Sequence, residues 1–331
     1  MIELNRRTAL FGAAASAVAP LAATSRALAA APPAGKQAPG VYRYKVGTYE
    51  ITVATDGITS GPRPDNYVVN ASKEAVSAAL AANYLPPDKA THAYNPIVVN
   101  TGSKLIVVDA GVGPAAYQQS KGMIGQFHTN LAAAGIERET VDVVIISHFH
   151  GDHINGLLTA DSKPAFANAE IMVPATEWKF WMDDGEMSKG TGNPILEGTF
   201  KNTRRVFGAL GNKVTHYDAG KEIAAGITSV ASPGHTPGHT SYIVASGSDR
   251  VLVQVDITAG AAFLFVRNPD WQLAFDVDKP LAVQTRRKLY DMAIAEKMPV
   301  QAFHAWFPGI VNVEKDGNGY RWVPAMWNPV I

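Results

Sequence analysis

The sequence predicts an α+β fold in which two β-sheets pack face to face with helices on their outer sides. Three observations carry this. The chain makes two similar passes, each a series of short strand-like runs followed by a helical one, and such elements bury their apolar faces by stacking in layers. Residues 141–146 are a nearly continuous β-branched run, the pattern of a strand buried on both faces. At 331 residues, 47% hydrophobic and 18% charged, the chain has the length and composition to bury a large core.

The elements follow in order. Residues 1–29 read as a bacterial export signal of the twin-arginine type. Arg6 and Arg7 open it, an alanine-rich apolar run follows, and Ala27-Leu28-Ala29 has the small-x-small form of a cleavage site. Partners and location follow: the twin-arginine export machinery, and a periplasmic or secreted protein without a permanent membrane anchor. Residues 30–40 are rich in Ala, Pro and Gly and read as a flexible linker. The catalytic domain is then expected over residues 41–331.

Within it, residues 42–58 alternate as a hairpin with its turn near Gly47-Thr48. Residues 71–84 read as a helix with Asn70 as N-cap. Strands are expected at 96–99 and 104–108 around Asn100-Thr101-Gly102, and a helix at 126–134 ending at Gly135. After the strand 141–146 come a strand at 169–173, a short helix at 176–182 and a polar loop at 183–193. Further strands are expected at 223–230, 241–245 and 251–255, then a helix at 280–297 and a strand at 300–302 leading into His304.

Charge and cysteine content exclude several classes. Lys plus Arg and Asp plus Glu both number 29, and residues 1–29 hold three of the basic and one of the acidic residues, so the remainder has a net charge of −2. Nothing here makes the basic footprint of a nucleic-acid binder. With no cysteine, disulfides, thiolate ligands and a cysteine nucleophile are excluded, and any metal must be held by nitrogen and oxygen.

The chemistry concentrates in Ser147-His148-Phe149-His150-Gly151-Asp152-His153. His148 and His150, two apart after a buried strand, can point to one side and hold one metal. Asp152 and His153, beyond the Gly151 turn, can hold a second. Further donors stand at the ends or turns of predicted strands: His235 in Pro233-Gly234-His235-Thr236-Pro237-Gly238-His239, Asp256, whose carboxylate can bridge two ions, and His304. A closed structural zinc site needs four ligands; the excess points to two metals with open positions, and so to catalysis. His92, His128 and His216 read as hydrogen-bonded core or surface histidines, and His239 as a brace for its loop.

His-x-His-x-Asp-His, then Pro-Gly-His, an Asp and a late His, in that order, resembles the metallo-β-lactamase superfamily of hydrolases, from about residue 42 to the end. The resemblance implies a four-layer αβ/βα sandwich with the site at one edge of the two sheets. It implies that His148, His150 and His235 hold one divalent ion, that Asp152, His153 and His304 hold the other, that Asp256 bridges them, and that Asp109 braces the site without ligating. Zinc is the default ion for so much imidazole; manganese, cobalt and iron take similar ligands.

A narrower set is similar to the methyl parathion hydrolases and their lactonase and arylesterase relatives: the leader, the 42–58 hairpin, Asn100-Thr101-Gly102-Ser103-Lys104, Phe307-Pro308-Gly309-Ile310 and Gly319-Tyr320-Arg321-Trp322-Val323-Pro324. That resemblance implies a homodimer and an aromatic substrate rim at Trp181. Residues 183–200 and Ser120 depart from the group's pattern.

The expected function is a dimetal hydrolase of a lactone or aryl ester, with some phosphotriester activity, acting on a small apolar or aromatic substrate. Two ions sharing a water give hydroxide near neutral pH, and Asp152 and Asp256 are the catalytic carboxylates, foremost as ligands, with Asp152 guiding the proton. The alternative is a phosphotriester hydrolase proper. A non-catalytic metal-binding protein is the rival of a different class, and one inert ion per chain would mark it.

Overall fold

In the computed structural model, which describes residues 33–331, the β-branched runs of the two halves form two seven-stranded sheets. The expected export signal, residues 1–29, lies outside the described residues, as do residues 30–32 of the expected linker. Pro39–Ile331 form one compact unit.

In chain order the strands are β1 (Val41–Val46), β2 (Tyr49–Ala54), β3 (Gly57–Pro62), β4 (Lys89–Tyr94), β5 (Ile97–Asn100), β6 (Leu105–Val108), β7 (Val143–Ile145), β8 (Glu170–Pro174), β9 (Val214–Tyr217), β10 (Glu222–Ala224), β11 (Ile227–Ala231), β12 (Thr240–Ser246), β13 (Asp249–Val255), β14 (Val300–Ala302), β15 (Ile310–Asp316) and β16 (Gly319–Pro324). The helices are α1 (Lys73–Ala81), α2 (Ala115–Gln119), α3 (Phe127–Ala133), α4 (Gly151–Ile154), α5 (Ala175–Trp181), α6 (Asp184–Lys189), α7 (Pro194–Leu210), α8 (Phe263–Arg267) and α9 (Lys279–Ala295).

The first sheet runs β1-β2-β5-β6-β7-β8-β9, and its neighbours from β6 to β9 are parallel. Parallel neighbours need crossovers, which α2 to α7 supply. The second sheet runs β10 to β16 in sequence order; it is antiparallel except for β13 and β14, which α8 and α9 connect. A separate hairpin, β3–β4, stands beside them.

Alternation along each strand explains why both faces are apolar. Val98, Val107, Val144 and Ile171 pack outward against Phe200, Val206, Phe207 and Leu210 of α7. Their neighbours Val99, Ile106, Val108 and Ile145 pack inward against Ile227, Tyr242, Val244 and Val253 of the second sheet. On its far side, Leu252, Val300 and Val311 meet Leu289, Tyr290 and Ala293 of α9. Each such side chain contributes about 1.5–3 kcal/mol of burial. The result is four layers, helix–sheet–sheet–helix, as expected.

Several local expectations are corrected. Helix α1 is capped by Ser72, whose hydroxyl accepts the Ala75 amide at 3.1 Å. Asn70 instead clamps a distant loop, donating to the Asp270 carbonyl and accepting from the Gln272 amide, both at 2.8 Å. The expected loop 183–193 contains α6, and α7 follows where no helix was expected. Asn193 caps α7, Pro194 begins it, and Phe200, Thr203, Val206, Phe207 and Leu210 form one buried stripe. The run 223–230 is two strands, because Gly226 takes φ +71° and turns the chain.

Candidate metal centre

The parallel strands deliver the donors. Asp109 follows β6, His148 and His150 follow β7, Asp256 follows β13 and His304 follows β14. All leave the C-terminal ends of their strands, and the β11–β12 loop brings His235 to the same edge. Two residues beside the donors hold unusual backbone. Asp109 has φ +60° and Val255, a β-branched residue, φ +52°. Such conformations cost about 1–3 kcal/mol each; at Val255 the ladder also slips register against β14, and this bend turns Asp256 inward.

Two donor sets result: His148, His150 and His235, and Asp152, His153, Asp256 and His304, with the donor atoms of each set within 4.8 Å of one another. In the first, His150 Nδ1 is 3.2 Å from His148 Nε2 and 2.9 Å from His235 Nε2. In the second, His153 Nε2 is 3.5 Å from Asp152 Oδ2 and 3.4 Å from Asp256 Oδ1, and His304 Nε2 is 3.1 Å from Asp256 Oδ2. A tetrahedral zinc ion with bonds near 2.05 Å has ligand–ligand edges of about 3.3 Å. Asp256 Oδ2 also lies 3.3 Å from His235 Nε2, so this carboxylate faces both sets.

The donor chemistry fits two divalent ions. Among the described residues, His153 Nε2 and Asp256 Oδ1 are buried with no hydrogen-bond partner, an arrangement that costs about 1–3 kcal/mol per atom unless a cation takes both lone pairs. The electrostatics agree. Burial, His153 and other neighbouring imidazoles push His148 well below its usual range, and burial with His235 brings His150 down to about 3. Both therefore keep nitrogen lone pairs free near neutral pH. Burial also pulls His153 down, but Asp256, Asp152 and Asp109 outweigh it and hold it well above its usual range. That unbalanced negative charge is what a divalent ion offsets.

The outer nitrogens are anchored. His148 Nδ1 meets Ser147 Oγ at 3.0 Å, and that hydroxyl donates to Asp109 Oδ2 at 2.8 Å. Asp109 also accepts the Ser147 amide and meets His153 Nδ1 at 2.8 Å, so it braces histidines of both sets without facing the centre. His304 Nδ1 donates to the Ala93 carbonyl at 2.8 Å. His239 Nε2 accepts the Asp256 amide at 3.0 Å, which occupies it as a brace.

The carboxylates of Asp276 and Glu177 complete the support and were not read from sequence. Asp276 Oδ1 takes His235 Nδ1 at 2.7 Å. Glu177, fully buried on α5, accepts the Phe149 amide at 3.2 Å and the Gly238 amide at 2.7 Å, so it ties the two donor-bearing loops together. A glutamate on an otherwise aromatic helical run was the available signal for Glu177; Asp276, in a loop, carried none.

Trp181 is a correction. It was expected on the substrate rim, but it is fully buried against Phe200 and Phe180, and its indole donates to Glu177 at 2.9 Å. Helix α7, which was not foreseen, covers it through Phe200. The cleft above the donors, about 390 Å³, is instead lined by His92, Tyr94, Val112, Asn155, Ile195, Ala259 and Phe275 around the donors. His92, read as a core or surface histidine, is therefore a wall of the site. A cavity of about 420 Å³ near Tyr42, Val46 and Met298 holds none of the clustered donors.

The family model described as the metallo-beta-lactamase superfamily matches residues 91–287. An N-acyl homoserine lactonase from Bacillus sp is 27% identical over 174 residues, 50% of this chain; the match spans 57% of that relative's length. Among solved structures, AidC, a dizinc quorum-quenching lactonase in complex with a product N-acyl-L-homoserine, is similar with a TM-score of 0.79, 23% identity and coverage of 88% of this chain and 99% of that one. The hydrolase AbOPH, in the beta lactamase superfamily, is similar with a TM-score of 0.77, 26% identity and coverage of 88% and 100%.

Proposed function

This chain belongs to the metallo-β-lactamase superfamily, and from that premise we propose that it is a dimetal hydrolase of neutral carboxylic esters, foremost lactones and aryl esters. The observation that carries the proposal is Asp256, whose carboxylate faces two complete donor sets at the floor of an open cleft. In this reading His148, His150 and His235 hold one ion, and Asp152, His153 and His304 the other. Two such ions, zinc by default, supply an activated water near neutral pH and polarise the substrate oxygen.

The chain's own residues do the rest. Asp256 is almost fully enclosed, with its side chain 3% exposed, whereas that of Asp152 is 24% exposed. Asp152 is thus the carboxylate that reaches the cleft and can hold the proton leaving the attacking water. Ile195, Ala259 and Phe275 give the acyl or aryl group an apolar wall. None of the residues lining the cleft is Lys or Arg, so a neutral substrate fits better than a β-lactam, which carries its own carboxylate. The relatives described as lactonases support the same choice.

A neutral phosphotriester meets the same requirements, and the segments similar to the methyl parathion hydrolases keep it as a second reading. Export through the Arg6-Arg7 signal to the periplasm or beyond, and a homodimer, belong to this proposal on the same sequence grounds.

The test is a panel assayed with the metal-loaded protein: an aromatic lactone, a phenyl ester, methyl parathion and a β-lactam. Turnover of the lactone and ester with little on the β-lactam is expected. Faster turnover of methyl parathion would favour the second reading, and inertness on all four would overturn both.

A further inference from the structure

His92 is the one histidine on the cleft wall outside the two donor sets. It stands on β4 with its ring edge toward His304, centroids 6.3 Å apart. Its Nε2 lies 3.3 Å from the Tyr67 hydroxyl, and that hydroxyl accepts the Ala261 amide at 2.7 Å. Tyr67 is 1% exposed. Its hydroxyl proton has one other partner among the described residues, His92 Nε2; if His92 donated instead, that proton would be buried and unsatisfied, at a cost of about 1–3 kcal/mol. The satisfied arrangement therefore has Tyr67 donating to Nε2, which leaves the His92 proton on Nδ1. Among the described residues Nδ1 has no hydrogen-bond partner, it is not among the sealed polar atoms, and His92 lines the cleft. Gly260 keeps the arrangement in place: at φ +62°, a Cβ there would stand 2.2 Å from the Tyr67 hydroxyl oxygen.

We propose that His92, with its tautomer set by Tyr67, donates a hydrogen bond from Nδ1 to the leaving oxygen of the substrate, and so selects for esters with poor leaving groups such as lactones. This rests on the hydrolase reading above. The acyl C–O bond breaks with its electron pair on the leaving oxygen, and the His92 N–H stabilises that charge without losing its proton. The attacking water supplies the oxygen of the new carboxylate; one of its protons, held by Asp152, passes to the leaving oxygen to make the hydroxyl, and the other is released to solvent. A neutral donor aimed at the leaving oxygen is worth most when the charge developing there is greatest.

Two measurements test this on the full, metal-loaded protein. The first is nitrogen-15 NMR of histidine-labelled protein, with the His92 signals identified against His92→Phe. A protonated Nδ1 and bare Nε2 are expected, and the opposite tautomer overturns the inference whatever the activity. The second is kcat/KM over phenyl esters of graded phenol acidity together with a lactone. His92→Phe should lose about 10²-fold on the lactone and under about 3-fold on the nitrophenyl ester, while His92→Asn, which keeps a donor near the Nδ1 position, recovers part of the loss. An equal loss across the series, or none, overturns the role of His92 alone. A wild-type protein inert on every member overturns the hydrolase reading and this role with it.

Discussion

Asp276 Oδ1 lies 2.7 Å from Nδ1 of His235, and it does so from a loop 41 residues further along the chain. Buried Arg286 stands 3.9 Å behind the other oxygen of that carboxylate. Burial lowers His235, but its bonds to Asp256 and Asp276 bring it up to about 9. Asp276 therefore fixes the ring so that Nε2 points at His150. Partners of this kind are worth about 10–100-fold in metal affinity. Asp276→Asn should weaken one of two bound ions by that factor in a chelator competition and leave the other nearly unchanged. Equal retention of both ions would remove Asp276 from the site.

Asp256 belongs to one set and faces the other, so its loss should be felt by both. Asp256→Ala is expected to lower metal content and to reduce ester turnover by more than about 10²-fold, with the far-ultraviolet circular dichroism unchanged. Because ions bound to the folded chain stabilise it by mass action, chelation should lower the Tm of the wild type more than that of the variant. An equal drop in both would show that Asp256 holds no ion.

Trp181 separates a packing role from a substrate role. Trp181→Phe keeps the ring contact with Phe200 but removes the donor to Glu177. The buried carboxylate then loses one partner, and a cost of about 1–3 kcal/mol in urea unfolding is expected. The ratio of kcat/KM for a lactone and a phenyl ester should not move. A changed ratio with unchanged stability would restore Trp181 to the cleft.

His128 gives a pH dependence outside the centre. Its Nε2 donates to the Gly156 carbonyl at 2.8 Å, and burial brings its pKa down to about 4 from 6.5. A depressed histidine binds its proton more readily when unfolded. Its contribution is therefore fully present above about pH 6.5 and is lost as pH falls toward 4. His128→Gln keeps the amide donor and removes the titration. Between pH 7 and 4.5 the wild type should lose roughly 2 kcal/mol more than the variant in urea unfolding. Parallel losses would show that His128 is not depressed.

The donors were legible because their signals are local. His148, His150, Asp152 and His153 lie within six residues, and each later donor follows a strand or sits in a Pro-Gly turn. The layered architecture was legible for a related reason: period-2 alternation with both faces apolar requires cover on both sides. Helix α7 was missed although Asn193-Pro194 and its buried stripe were readable: no element was assigned between the polar loop 183–193 and the strand expected at 223–230. Strands β3, β4, β9, β15 and β16 were missed; β3 and β9 bury little of their length, and β4 carries no regular apolar alternation.

By itself, then, the sequence determined the layered fold and singled out the seven His and Asp residues that the fold brings together, since strand burial and metal ligation both need particular residue types at short, fixed spacing. Only the tertiary structure decided that Asp256 faces both donor sets, that Asp276 and Glu177 hold the loops, that Trp181 is core and that His92 is cleft wall. Those roles arise between segments far apart in the chain, where a side chain's function depends on which distant atom the fold sets within hydrogen-bond reach.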